Sequence, residues 1–223
     1  MNRENYLINK LFETNIGTLL IKKLLGKGKS GYSYLAELEN QYYVLKLMHN
    51  EPCPYYRFGD NKVILEVDAY HDLRKCNIIM PELLDYNVER KYLVKEYIDG
   101  IVAAELIAGY KITESTLEQL FKIFRLAKNA GYNIDYFPSN FVIQDDRLFY
   151  IDCERNPYTP EWDLPNWGIY YWANGKGFRE YLTTGDILSI NESPETGKPI
   201  KKPIEEKVSA WIKKYDNNSM FLH

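Results

Sequence analysis

Apolar residues recur at two different periods along this chain, and the change comes near residue 100. Before it, β-branched and aromatic residues fall in short runs broken by turn residues. Thr18–Leu25 is rich in Leu and Ile and leads into Gly26-Lys-Gly28-Lys-Ser-Gly31. Tyr32–Glu37 and Gln41–Met48 flank Glu39-Asn40, and Leu83–Ile98 holds a second pair of runs around Glu89-Arg90, so two hairpins are expected. One segment differs. Val63, Val67 and Tyr70 make a helical stripe that Asp60-Asn61 opens, with Asp60 as the N-cap.

Beyond Gly100 the spacing becomes helical. Ser115-Thr-Leu-Glu118 reads as a capping box ahead of Leu117, Leu120, Phe121, Phe124 and Ala127, and Gly131 stands where that helix ends. Tyr132–Asp152 reads as loop, strand, turn, strand. Trp162–Ala173 is an aromatic-rich helix candidate, Ser189–Lys202 a Pro/Gly-rich loop, and Ile204, Val208, Trp211, Ile212 and Tyr215 mark a last amphipathic helix. The expectation is an α+β chain in two lobes: an antiparallel sheet with one helix over residues 1–97, and a mainly helical part over 98–223.

Candidate chemistry enters at Tyr132–Asp152. Phosphoryl transfer from Mg-ATP needs one carboxylate to orient an acceptor hydroxyl, and a second carboxylate with an amide oxygen to hold magnesium over the phosphates. Asp135, Asn140 and Asp152 supply all three. Asp and Asn are also ordinary turn residues, so the pattern gains weight only beside a nucleotide site. Gly26, Gly28 and Gly31 lie between two strand candidates, where glycine lets backbone N–H groups approach phosphates and Lys27 and Lys29 add positive charge. A plain glycine-rich hairpin is the competing reading. The spacing is not that of a Walker loop, and no helix follows as in a Rossmann fingerprint.

Lys46 sits in an otherwise apolar strand, and a buried ammonium needs a partner. Glu66 on the striped helix is the expected one, and the pair would hold Lys46 on the α- and β-phosphates. Alternatively Lys46 snorkels to solvent and Glu66 is a surface residue. The main chain between Glu96 and Ile98 could meet an adenine edge.

Composition narrows the partners. The 223 residues are 45% hydrophobic and 26% charged, enough for one large domain or two small lobes with a real core. With 28 basic against 31 acidic residues, a net charge of −3 argues against nucleic acid and anionic membranes. No apolar run reaches the roughly 18 residues of a membrane span, and the start shows no signal-peptide core, so a cytoplasmic protein is expected. Cys53, Cys76 and Cys153 form no CxxC, and with only His49, His71 and His223 a structural zinc site is not expected. The 20 tyrosines carry no functional reading.

Taken in order, the glycine loop, Lys46, Glu66, the Leu93-Val-Lys-Glu96-Tyr-Ile98-Asp-Gly100 segment, Asp135 with Asn140, and Asp152 resemble the protein-kinase-like superfamily. The resemblance runs from Gly26 to Asp152, and more loosely to Trp172, and implies a bilobal fold with ATP and Mg2+ as cofactors. It implies that Lys46 binds phosphates and Glu66 holds it, that Asp135 orients the acceptor hydroxyl, and that Asn140 and Asp152 hold magnesium. It also implies that Gly26, Gly28, Gly31, Glu96 and Ile98 line the nucleotide. Asp163 looks like the structural aspartate that caps the catalytic loop, with a simple helix N-cap as the alternative.

The departures are as informative. Asn133-Ile134 stands where protein kinases have His-Arg, Phe137 where a cation is usual, and Asp152-Cys-Glu154 where they have DFG. Few residues separate Asp152 from Asp163, which leaves little room for peptide docking. This region is similar to the choline kinase and aminoglycoside phosphotransferase branch, with Glu154 and Asn166 fitting it, although the large helical inserts of those enzymes are missing. The expected function is an ATP-dependent phosphotransferase acting on a hydroxyl of a small molecule or of a protein Ser/Thr. The alternative is a pseudokinase that binds nucleotide or acts as a scaffold. Glu154, Glu161 and Asp163 hint at a cationic acceptor, and ordinary surface acidity explains them equally well.

Overall fold

The computed structural model describes residues 6–51 and 61–216. Cys53, Asp60 and His223 lie outside them, so the Asp60 cap is not among the described features. The chain is a mixed α/β protein built on antiparallel sheets. Its contacts divide it into two compact units, one ending at His71 and resumed over Pro81–Ile98, the other Asp72–Met80 with the residues from Asp99 onward.

The first unit holds β1 (Leu11–Thr14), β2 (Gly17–Lys27), β3 (Gly31–Leu38), β4 (Gln41–Met48), β5 (Leu83–Asn87) and β6 (Tyr92–Glu96). They form one six-stranded sheet in the order β1-β2-β3-β4-β6-β5. The β3–β4 hairpin turns at Glu39 and Asn40, both with positive φ (51° and 63°), the backbone a two-residue type I′ turn requires. Alternation sends Leu19, Ile21, Tyr34, Ala36, Leu45, Tyr92 and Val94 to one face, where they form a buried cluster. Leu93 points the other way, against Val63 and Val67 of α1 (Lys62–Lys75). The Asn61 side chain accepts the Ile64 N–H at 3.2 Å and so caps that helix.

The two edges of this sheet meet. Asp85 of β5 accepts from the Asn15 N–H (2.9 Å), the Asn15 carboxamide (2.8 Å) and the Tyr92 hydroxyl (2.8 Å). Arg90 donates to the Glu13 carbonyl at 2.6 Å and lies over the Phe12 ring. The sheet is thereby curled and clasped across its outer strands.

The second unit contains β7 (Ile101–Val102), α2 (Ala103–Ala108), α3 (Glu114–Asn129), β8 (Tyr132–Ile134), β9 (Phe141–Gln144), β10 (Arg147–Tyr150), β11 (Arg155–Pro157), α4 (Ile169–Ala173), α5 (Gly175–Thr184) and α6 (Glu205–Tyr215). Leu117, Leu120, Phe121, Phe124 and Ala127 are all buried, as the α3 periodicity requires. The capping box at Ser115 is corrected. Thr113 is the N-cap, its hydroxyl accepting the Thr116 N–H at 3.1 Å, while Ser115 donates to Asp146. Thr113 wins because Ser115 and Thr116 already lie inside the first helical turn. Gly131 follows the helix with φ +80°, a conformation open to glycine.

The β9–β10 hairpin turns at Asp145 and Asp146, again both at positive φ. The free edge of β10 is covered: Gln119 of α3 takes the Leu148 N–H at 2.9 Å, and Ile79 O takes the Tyr150 N–H at 2.9 Å. The Trp162–Ala173 candidate is broken by Asp163, which caps a fresh helical turn at Leu164–Gly168 ahead of α4. The periodicity announces neither α2 nor α5, which pack on each other. Among the described residues no helix is long and apolar enough to cross a membrane.

Candidate functional site

In the first unit, register decides where Lys46 points. It pairs with Leu93 across the β4–β6 ladder, and directly opposed residues share a face, so Lys46 shares the α1 side with Leu93. Glu66 lies one helical turn from Val63 on the buried stripe of α1. The two meet at 2.6 Å, Lys46 Nζ to Glu66 Oε1, and both side chains are about nine-tenths buried. The snorkelling alternative for Lys46 therefore does not hold.

A third residue joins them. The buried Ser30 hydroxyl donates to the same Glu66 Oε1 at 2.7 Å, and Glu66 Oε2 is buried without a partner. Ser30 comes from the glycine segment, which is shorter as a loop than its sequence suggests: Gly26 and Lys27 belong to β2, and Gly31 begins β3. The intervening turn is closed by Gly28 N–H to Gly31 O (2.9 Å) and fastened by His49, whose N–H donates to Ser30 O (3.0 Å) and whose ring lies 3.1 Å from Gly28 O.

The glycines differ in their reasons. A Cβ on Gly31 would fall 2.5 Å from Leu47 O, so packing excludes any side chain there. On Gly26 it would meet nothing within 4 Å, and on Gly28 only Gly31 O at 3.8 Å; neither has a positive φ. Nothing in the fold requires glycine at those two positions. Beside the turn, Glu51 accepts from Lys27 (2.8 Å) and from the Tyr32 hydroxyl, and these partners lower its carboxyl to about 2.

At the end of β6 the Glu96 N–H donates to Glu82 O at 2.9 Å, and the Glu96 carboxylate accepts the Glu82 N–H. Glu96 is exposed; Ile98 is buried.

In the second unit, Asp135 follows β8 and Asn140 ends a helical turn, Pro138–Asn140. The segment is tied to itself: Phe137 N–H donates to Asp135 Oδ1 (3.0 Å), Asn140 N–H to Phe137 O (2.9 Å), and the Asn140 carboxamide nitrogen to Asp135 O (3.3 Å). That last bond uses the nitrogen of the Asn140 carboxamide and does not engage its oxygen. Asp152, half-buried, follows β10, and Ile151 N–H donates to Asn140 O at 2.9 Å. Beyond it β11 pairs with β8, setting Arg155 opposite Ile134.

All these segments surround the buried Tyr150. Burial, and then the negative charges of Asp152, Asp135 and Glu154, keep its phenol protonated far above the usual range. Hydrogen bonds thus hold the Asp135 and Asn140 segment beside Ile151, the neighbour of Asp152.

An aromatic bed supports this segment. Trp172 Nε1 donates to Tyr136 O at 2.9 Å, Phe141 packs on Trp172, and Phe137 packs on Tyr171 and Phe178. A Cβ on Gly168 would lie 2.4 Å from Tyr136 Cβ, so the backbones approach there only because residue 168 has no side chain.

Other residues take structural posts. Asp163 is buried, accepting from Asn166 N–H and Nδ2 (2.9 and 3.0 Å) and from the Tyr158 hydroxyl (3.0 Å), which is the N-cap alternative. Asn166 is that cap's partner. Glu161 lies 3.5 Å from Lys198. Asp163 thus serves as a buried cap and Glu161 as half of a surface ion pair, while Glu154 accepts from the Asn156 carboxamide at 3.2 Å. Asn133 holds Thr159 O at 2.7 Å and Ile134 is buried.

Neither Ser30 nor Tyr150 stands out in the sequence. Ser30 reads as loop filler, and Tyr150 as one inward residue of an alternating strand.

No cluster of three or more His, Cys, Asp or Glu among the described residues is arranged to hold a metal ion. A divalent ion at Asn140 and Asp152 would need further oxygens from phosphate and water, which suits magnesium. Compared with known proteins, the chain matches no family model and no curated protein.

Proposed function

We propose that the protein is a protein-kinase-like, ATP-dependent phosphotransferase that moves the γ-phosphoryl group to a hydroxyl acceptor on a small molecule or a protein. The observation that carries this reading is the buried Lys46–Glu66 pair lashed by Ser30 to a glycine turn. Burying an ion pair costs desolvation that its attraction often fails to offset, so such a pair is poorly explained by stability alone. A turn with glycine at two positions where the fold does not need it suits close approach of a ligand backbone-on, and Lys46 supplies the charge for its phosphates. Glu96 N–H is committed to Glu82 O, so at an adenine edge Glu96 could offer only its carbonyl, and a main-chain N–H would have to come from a residue such as Ile98.

In the second unit Asp135 would accept the proton of the attacking hydroxyl, while Asn140 and Asp152 would hold magnesium. That ion, when bound, supplies charge neutralisation on the phosphate oxygens. A pseudokinase is the second reading, favoured by Phe137, which is packed among Tyr171 and Phe178 where a cation would offset transition-state charge.

The test is a magnesium-dependent thermal shift with ATP, followed by γ-phosphate transfer to a panel of hydroxyl compounds and generic protein substrates. Asp152→Asn is expected to abolish both the magnesium dependence and the turnover. Binding without turnover would select the pseudokinase, and no binding at all would end both readings.

A further inference from the structure

The carboxylate of Asp135 must stay aligned with a bound hydroxyl, and a displacement of about 1 Å at such a position costs on the order of 100-fold in rate. Asp135 lies between β8 and a helical turn, in a segment without regular pairing of its own. Main-chain links to the strand ends nearby are the Ile151–Asn140 bond and the β8–β11 ladder, neither of which touches Asp135 itself.

The Tyr150 hydroxyl does. It lies 3.4 Å from the Asp135 nitrogen and 3.1 Å from the Glu154 carbonyl oxygen. A phenol can accept one hydrogen bond and donate another, so the Asp135 N–H donates to Oη and Oη donates to Glu154 O. Tyr150 is wholly buried, its ring is 5.2 Å from that of Phe141, and its own N–H is held by Ile79 O. The hydroxyl is therefore a fixed point between the segment that carries Asp135 and the one that follows Asp152.

We propose that Tyr150 is a positioning residue: its hydroxyl bridges the main chain of Asp135 to that of Glu154 and so fixes the Asp135 carboxylate relative to Asp152. This rests on the phosphotransferase reading and deepens it. The bridge acts on catalysis through Asp135, and Tyr150 touches no reactant.

The experiment compares the 223-residue chain with its Tyr150→Phe variant, which keeps the ring and its packing. Turnover with saturating Mg-ATP is expected to fall by about tenfold or more, with the KM for ATP within about twofold of wild type. A loss of general structure would move both. In parallel, hydrogen exchange at the Asp135 amide should quicken in the variant while the Phe141–Gln144 and Arg147–Tyr150 strands keep their protection. Unchanged turnover in Tyr150→Phe overturns the proposal and leaves the phosphotransferase reading standing. A wild-type protein without turnover removes that reading and the positioning role with it. The wild-type Asp135 amide also decides alone: if it exchanges like an unprotected amide, no bridge exists, whether or not the variant folds.

Discussion

The Glu66 carboxylate concentrates the cost and the use of this protein in one atom pair. Its Oε1 receives both Lys46 and Ser30 while Oε2 is buried and unbonded. Removing one partner of a buried pair strands the other charge, so Glu66→Ala should lower unfolding free energy by about 3–5 kcal/mol, measured by urea denaturation. Ser30→Ala should cost only about 1 kcal/mol, because Lys46 still occupies Oε1. Equal losses in the two variants would mean that Ser30, and not the charge, anchors the carboxylate. Close by, Glu51 titrates at about 2, below the roughly 4.3 of a free glutamate, because Lys27 and then Tyr32 stabilise its anion. A lowered folded value means that this stabilisation is fully present above the unfolded value and disappears as pH falls through about 2. The Glu51 carboxyl resonance should show that low midpoint, and Lys27→Met should move it upward.

At the scale of elements, caps and close approaches set the positions that chemistry uses. Thr113→Ala should destabilise by about 1 kcal/mol through the lost cap, whereas Ser115→Ala, which loses an exposed bond to Asp146, should cost less. Gly168→Ala should be worse, on the order of 1–3 kcal/mol, since its Cβ meets Tyr136 Cβ at 2.4 Å and one backbone must move. Because Tyr136 adjoins Asp135, the same substitution should shift the amide resonances of Asp135 and Phe137 in an NMR spectrum. The hairpins and α3 were legible in the sequence because Glu39-Asn40 and the Leu117–Ala127 stripe are local signals. α2 and α5 were not. Ala103–Ala108 is too short for a period to declare itself, and Gly175 and Gly177 in α5 read as breakers while packing requires them: a Cβ on Gly177 would fall 2.3 Å from Ser189 O. The Lys46–Glu66 pair was legible because a lysine in an apolar strand demands a partner. The Asp163 cap and the Tyr150 bridge were not, since both depend on which distant main-chain atoms arrive beside them.

For the molecule as a whole, the division of the chain is not a single cut. Asp72–Met80 belongs with the residues after Asp99, through the Ile79–Tyr150 bond and the 2.7 Å Arg155–Asp72 ion pair. Burial opposes ionisation of Asp72, yet Lys75 and Arg155 outweigh it and lower its pKa. A fragment of residues 99–223 should therefore lose the Ile79 part of the β10 cover and the Asp72 partner of Arg155, and give a poorly dispersed NMR spectrum. One starting at residue 72 should restore dispersion; a well-folded 99–223 fragment would refute that dependence. In the other unit the clasp of Asp85 on Asn15 has a consequence for company. Many proteins recruit peptides by letting them lie down as an extra strand on an open sheet border. Here the borders of the six-stranded sheet are clasped to each other at Asn15 and Asp85, so a peptide strand adding there would first have to break those bonds.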